Sequence, residues 1–235
     1  MKNNMDIIPE ILFEDNHLII VNKRPSEIVQ GDKTGDTPLS EHIKQYIKKK
    51  YNKPGEVFLG VTHRLDRPVS GIIIFAKTGK ALTRINEMFR LKEIKKTYWA
   101  IVKNKPEPPS GTLVHYLKKN EKNNKSYVYD KLIRDSKRAE LDYKLIASSD
   151  HYHLLEITLK TGRHHQIRAQ LSHIGCEIKG DLKYGAPRSN EDASISLHSR
   201  RAEFLHPVTK NLISLEAMPP ASDNLWKYFI DAIKK

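Results

Sequence analysis

The chain has 235 residues, 38% apolar and 29% charged, and its 41 Lys and Arg against 28 Asp and Glu leave a net charge of +13. An excess of that size points to a polyanionic partner, either nucleic acid or an anionic membrane surface. No run of about 18 apolar residues could span a membrane, the opening Met1–Asp6 lacks a secretory signal, and a single Cys176 excludes intramolecular disulfides and a cysteine-rich zinc site.

In chain order, Glu10 to Lys23 predicts two strands around a Glu14-Asp15-Asn16 turn, the second being His17 to Val21. Gln30 to Asp36 is a Gly- and Asp-rich loop. Thr37-Pro38 then predicts a helix start with a capping hydroxyl and a proline in the first turn. Leu39, Ile43, Tyr46 and Ile47 recur at helical spacing before Pro54-Gly55 stops the helix. Val57–Val61 and Ile72–Ala76 read as short strands flanking the charged segment His63-Arg64-Leu65-Asp66-Arg67, and a helix is expected from about Lys80 to Arg90.

Tyr98 to Val102 is strand-like, and Pro106, Pro108, Pro109 and Gly111 break the chain after it. Asn120 to Ser126 is a polar Lys/Asn loop without a core signal. Leu155, Ile157 and Leu159 alternate with Glu156, Thr158 and Lys160, the pattern of a half-buried strand that Gly162 ends. A helix follows with Ile167, Leu171 and Ile174 on one face and Gly175 closing it. Strands near Arg200–Leu205 and Leu212–Ala217, then Pro219-Pro220 and a terminal helix from about Asp223, complete the chain. Strands without regular crossover helices predict an α+β fold with a mixed, largely antiparallel sheet. No linker divides the chain, so residues 1–235 are expected to form a single domain.

The charge is uneven. Residues 1–79 are net +2 and 139–235 net +1, whereas 80–138 carry 16 basic and 6 acidic residues, together with Tyr98, Trp99, Tyr116, Tyr127 and Tyr129. Lysines contact phosphates and aromatics stack on unpaired bases, so this stretch is either a nucleic-acid face or a solvated lysine-rich surface. It contains no amphipathic basic helix, which removes the membrane reading.

Two segments carry chemistry. His63-Arg64-Leu65-Asp66-Arg67-Pro68-Val69-Ser70-Gly71 sets one carboxylate between two arginines in a loop stiffened by Pro68 and Gly71. Cations there would keep Asp66 ionised, suiting a nucleophile, although spacing alone favours a structural Asp–Arg pair holding a turn. In Leu159-Lys160-Thr161-Gly162-Arg163-His164-His165-Gln166-Ile167-Arg168 a strand ends in glycine and a helix begins with cationic side chains. Such a helix start can hold an anion, a phosphate or a carboxylate such as Asp66; the alternative is an amphipathic helix with a solvated basic edge. The pairs His164-His165 and His151-x-His153 lack metal-ligand spacing, and no phosphate or dinucleotide loop is present, so neither metal nor cofactor is expected.

Together these segments resemble the RluA-type RNA pseudouridine synthase family. The likeness lies in the His63–Gly71 segment with Phe75-Ala76-Lys77, in Lys96-Thr97-Tyr98-Trp99-Ala100-Ile101-Val102, in Thr161–Arg168 continuing through Gly175 to Gly180-Asp181-Leu182-Lys183-Tyr184-Gly185, and in Leu197-His198 with His206-Pro207. It runs from about Ile11 to Pro220. The resemblance implies the family's fold with a catalytic cleft, and an isomerase that detaches uracil from ribose at nitrogen 1 and rejoins it through carbon 5. It implies Asp66 as nucleophile, at the base or the ribose, with Tyr98 against the uracil and Arg168 paired with the carboxylate. Arg64 would help displace the target nucleotide, and His63, Arg67, Lys96, Arg163 and Gln166 would contact substrate. The expected partner is ribosomal or transfer RNA, without a cofactor, for a cytoplasmic monomer. A non-catalytic RNA-binding protein acting in ribosome assembly is the alternative, but all three catalytic positions are retained. The family's frequent N-terminal RNA-binding domain is not found, so RNA capture is expected to fall to residues 80–138. Asn22-Lys23-Arg24-Pro25, where Asn-Lys-Pro is usual, is a peripheral departure.

Overall fold

The computed structural model describes residues 9–32 and 34–234; the Met1–Asp6 segment, read above as lacking an export signal, lies outside them. The first part of the chain forms β1 (Glu10–Glu14), β2 (Leu18–Lys23), α1 (Leu39–Lys50), β3 (Gly60–Val61), β4 (Ser70–Ala76) and α2 (Gly79–Arg90). Five strands follow: β5 (Lys95–Val102), β6 (Ser110–Asn120), β7 (Lys125–Tyr129), β8 (Lys137–Ser148) and β9 (His153–Leu159). The remainder comprises α3 (Gln166–His173), a 3₁₀ turn at Leu182–Tyr184, β10 (Leu197–Leu205), β11 (Leu212–Glu216) and α4 (Asn224–Ala232). The fold is α+β, with pairings inside each unit that run antiparallel. Among the described residues no helix is long and apolar enough to cross a membrane.

The chain packs as two compact units, one holding residues up to 94 with 201–218 and the other residues 95–200 with 219 onward. In the first, β2 pairs with β1 and with β4, from Leu18 opposite Ala76 to Lys23 opposite Gly71. Both strands are continuous apolar runs because both faces are covered. Leu18, Ile20, Ile72 and Ile74 pack on Ala81, Ile85 and Met88 of α2 and on Ala202, Phe204 and Ile213 of the β10–β11 hairpin. Ile19, Val21, Ile73 and Phe75 pack on Leu39, Ile43 and Ile47 of α1. Each such side chain contributes about 1.5–3 kcal/mol by leaving water.

Helix starts follow local hydrogen bonding. Thr78 caps α2, its hydroxyl accepting from the Ala81 N–H at 3.2 Å. Thr37 does not cap α1: the helix begins at Leu39 after Pro38, and the Leu39 and Ser40 N–H groups donate to the carbonyls of Ile28 and Val29. Loop carbonyls there satisfy donors that the hydroxyl was expected to take. The expected Val57–Val61 strand pairs only over Gly60–Val61.

In the second unit the strands pair in the order β5-β9-β8-β6-β7. On one face Trp99, Ile101 and Leu154 pack against Trp226 and Phe229 of α4. On the other, Leu117 of β6 and Ala139 of β8 pack against Ala169 of α3 and Tyr184. The Lys/Asn stretch is a tight turn between β6 and β7, and its last residue, Ser126, is buried despite the lack of a core signal.

Candidate active site

In the first unit the segment after β3 is fastened to β4. The Thr62 hydroxyl donates to the Ile74 carbonyl at 2.6 Å, and the Ile74 N–H donates to His63 Nε2 at 3.1 Å. The His63 ring sits 4.9 Å from that of Phe89 in α2, and Leu65 reaches the α1-side core. The Val69 N–H closes a turn onto the Asp66 carbonyl at 3.0 Å, and Gly71, at φ +113°, supplies a backbone angle that side chains avoid. Asp66 is therefore half-buried on a turn held at both ends. Arg64 and Arg67 are exposed, and the Arg67 guanidinium pairs with Asp36 at 2.5 Å. The Gln30–Asp36 loop thus supplies a carboxylate to that guanidinium.

The interior cation beside this turn is Lys23, only 1% exposed. Its ammonium donates to the carbonyls of Arg24 at 2.8 Å and Arg67 at 3.2 Å. Burial pulls its pKa down to about 8; the attraction of Glu27 and Asp66 opposes the shift, and the Arg67 charge adds to it. The sequence alone assigns Lys23 no role. The signal that could have found it is strand parity, since Ile19, Val21 and Lys23 alternate onto one buried face of β2.

In the second unit, the turn from β9 into α3 is organised by Gln166, which is 3% exposed. Its Oε1 accepts from the Arg163 N–H at 3.0 Å and the Thr161 hydroxyl at 2.8 Å, and its Nε2 donates to the Glu140 carbonyl at 3.1 Å. Gln166 thus fixes the loop rather than presenting its amide outward. Exposed Arg163 is steered by its Nε bond to the Arg138 carbonyl at 2.9 Å. Residues 166–171 are all buried, so α3 does not have the solvated basic edge allowed for above.

Arg168, in the first turn of α3, is 5% exposed. Its Nε and Nη2 donate to the two carboxylate oxygens of Asp181 at 2.7 and 2.8 Å, a bidentate pair with both partners buried. The guanidinium also lies 5.1 Å from the centre of the Tyr184 ring. The Tyr184 hydroxyl accepts from the Ser126 N–H at 2.8 Å and lies 3.0 Å from His165 Nδ1. His165 adopts a left-handed backbone, φ +52°, and stacks on His164 at 3.8 Å. The Ser126 hydroxyl donates to the His164 carbonyl at 2.7 Å, tying the tip of the β6–β7 hairpin to the same loop. Gly180, at φ +87°, leaves room that a Cβ would fill only 2.7 Å from the Ser194 carbonyl oxygen, and so lets Asp181 enter the interior. Asp181, Tyr184 and Ser126 had no assigned role in the sequence, although the first two stand in a quoted signature.

Tyr98 is 4% exposed on β5, opposite Ile157 of β9, and half-buried Lys96 lies two residues earlier on the same side of the strand. Trp99 faces the other way, its Nε1 donating to Glu156 at 3.3 Å with the Arg200 guanidinium 4.6 Å from its ring centre. A cavity of about 840 Å³ in this unit, lined by Lys103, Lys179, Arg188 and Asp223 among others, takes in none of the expected site residues.

Among the described residues one group has ligand atoms close enough for a cation: His115, Asp130 and His173, all within 4.8 Å of one another. Buried Gln170 donates its Nε2 to His115 Nδ1 at 3.0 Å. Burial and the neighbouring His173 ring hold His115 below the usual histidine range, against the pull of Asp130. Within the trio, His173 Nε2 is 3.0 Å from Asp130 Oδ1 and His115 Nε2 is 3.9 Å from it.

The profile of the RNA pseudouridylate synthase family matches residues 17–173. A ribosomal large subunit pseudouridine synthase C of Buchnera aphidicola is 33% identical over 227 residues, covering 92% of this chain and 69% of that protein. A tRNA pseudouridine synthase C of Vibrio vulnificus is 28% identical over 243 residues, covering 94% of each. In fold, the chain is similar to human RNA pseudouridylate synthase domain containing 4, with a TM-score of 0.77 and 22% identity over 96% of this chain and 93% of that one.

Proposed function

The chain belongs to the RNA pseudouridylate synthase family and is an RNA pseudouridine synthase, and on that premise we propose that it isomerises a specific uridine of ribosomal or transfer RNA with Asp66 as nucleophile. The observation that carries this reading is that the matched span, residues 17–173, includes Asp66, Tyr98 and Arg168. In the reaction the bond from uracil nitrogen 1 to the ribose breaks, the base turns, and carbon 5 bonds to the same ribose carbon. Carbon 5 gives up its proton and nitrogen 1 gains one, so the isomerisation balances without a cofactor.

Asp66 supplies the attacking carboxylate. Tyr98 packs on the uracil and handles the proton at carbon 5, and Arg168 pairs with the carboxylate. Arg64 helps to draw the target nucleotide out of its stack. Arg67, Lys96 and Arg163 bind the RNA as cations, while His63 and Gln166 serve binding through the loops they hold. Residues 1–235 act as one catalytic domain, as a cytoplasmic monomer.

Asp66→Ala should abolish pseudouridine formation while the fold and RNA affinity persist; a variant of normal activity would remove Asp66 as the nucleophile. Mapping pseudouridines in total RNA from cells with and without the gene names the substrate. Identical maps would turn the reading toward a non-catalytic RNA-binding protein.

A further inference from the structure

The sheet of the second unit has two faces, and strand register assigns each residue to one of them. Tyr98 is opposite Ile157, Ile157 opposite Tyr143, and Tyr143 opposite Gly111. Two-residue alternation then puts Leu117 and its partner Val128 on the Tyr98 face, which α3 covers. On the reverse face, α4 packs over Trp99, Ile101 and Leu154. Farther out on that face, Tyr116 of β6 lies between Tyr129 of β7 and Arg138 of β8, and Lys118 lies opposite Tyr127. Tyr127 is 42% exposed, Tyr129 37% and nearby Val114 41%, and the three tyrosines belong to none of the apolar cores described above.

Charge decides what this face fits. Residues 110–138 contain eight Lys and Arg and three Asp and Glu, net +5. Lys118 and Arg138 border the rings, whereas the Lys125 ammonium reaches toward the α3 face, 4.9 Å from the centre of the Tyr184 ring and 5.9 Å from that of Tyr127. The ion pair of Lys118 with Asp135 is solvent-facing and weak enough to yield to phosphates, and the Arg138 guanidinium, although paired with half-buried Glu140, is itself exposed. A protein partner would favour an apolar centre depleted of lysine and glutamate, whereas here Lys118, Arg138 and Glu140 sit among the rings. Strand propensity accounts for a β-former at each position but not for the exposed rings of Tyr127 and Tyr129 beside half-buried Tyr116.

We propose that the reverse face of β6–β7 is a stacking platform for a single-stranded RNA segment flanking the target uridine. Tyr127 and Tyr129 take bases, Tyr116 backs them, and Lys118 and Arg138 contact phosphates. This rests on the function proposed above. Tyr127 and Tyr129 are about 7 Å apart along β7, a spacing for two separated bases rather than one intact stack. The edge strand β7 stands four strand spacings from β5, about 19 Å. An RNA touching both the platform and Tyr98 must therefore pass around the β7 edge, which is only five residues long.

The test uses the full chain and a fluorescein-labelled 12-nucleotide oligouridylate, with binding read by anisotropy. Tyr127→Thr with Tyr129→Thr keeps β-formers on the strand, and an unchanged melting temperature confirms the fold. Each lost ring should weaken binding at least about fivefold, and KM for the natural RNA should rise in step. A 5-bromouridine oligonucleotide should photocrosslink to the peptide holding Tyr127 and Tyr129. Unchanged affinity, or crosslinks confined to other peptides, overturns the platform. Loss of oligonucleotide binding in the double variant, with no pseudouridine formed by the unaltered chain, would keep the platform and remove the proposed reaction.

Discussion

Asp181→Asn is the sharpest perturbation of the second unit. Arg168 and Asp181 have side chains only 6% and 1% exposed, and both carboxylate oxygens are engaged, at 2.7 and 2.8 Å. Asparagine keeps the shape but offers a single acceptor, so its NH₂ meets an arginine N–H and the buried guanidinium loses the Asp181 charge. Breaking a buried pair in this way costs about 3–5 kcal/mol. At about 2–4 °C per kcal/mol for a chain of this size, melting should fall by roughly 6–20 °C. Both tryptophans of the chain, Trp99 and Trp226, are buried in this unit, so tryptophan emission reports its unfolding directly. Arg168→Met combined with Asp181→Leu removes both charges together and should recover most of the loss, because two apolar side chains need no partner. A fall below about 2 °C for Asp181→Asn would show that the pair does not hold α3 in place, and the positioning of Arg168 would need another origin.

Lys23, whose folded pKa is near 8 against 10.5 for the free group, leaves the unfolded state with more bound protons between those values. Stability should therefore rise from pH 8 to 10.5 by up to about 3 kcal/mol, and denaturant titrations of Lys23→Met should lack that rise. Glu14 shifts the same way in a lower pH window and for a different reason: burial alone would raise its pKa, but hydrogen bonds from Lys50, Lys77 and Tyr51 pull it down to about 2. Its contribution is complete above pH 4.5 and is lost as pH falls toward 2, so acid titration of Glu14→Gln should show a shallower decline than the unaltered chain. Tyr184→Phe keeps the ring beside Arg168 but leaves the buried Ser126 N–H without its acceptor, costing about 1–3 kcal/mol. Tyr184→Leu removes the ring as well and should lower both melting temperature and pseudouridine formation further.

The apolar runs of β2 and β4 were legible because a strand covered on both faces needs no polar alternation, and α1 and α2 were legible from helical spacing and stop signals. The long β6–β8 meander was not. Its outward positions hold Lys118, Arg138 and Lys144, so its inward set, Leu117, Ala139, Leu141 and Tyr143, is visible only when every second residue is read. At the candidate site, Asp66, Tyr98 and Arg168 could be picked out because they sit in contiguous signatures. Lys23 and Tyr184 could not be given roles, because each acts through groups far along the chain: 44 residues from Lys23 to the Arg67 carbonyl, and 58 from Tyr184 to Ser126.

By itself the sequence determined the strands and helices of the first unit, the strand-to-helix turn that carries Arg168, the basic stretch and the chemistry class. Those are local properties, set by the period of apolar residues, by breakers and caps, and by short runs of functional side chains. Only the tertiary structure decided that Arg67 turns to Asp36, that Arg168 is clamped by Asp181 against Tyr184, and that Tyr116, Tyr127 and Tyr129 share the face opposite Tyr98. Partner choice for a buried charge depends on which counter-charge the packed chain brings within about 3 Å. The face a side chain occupies depends on strand register, which a shift of one residue would reverse.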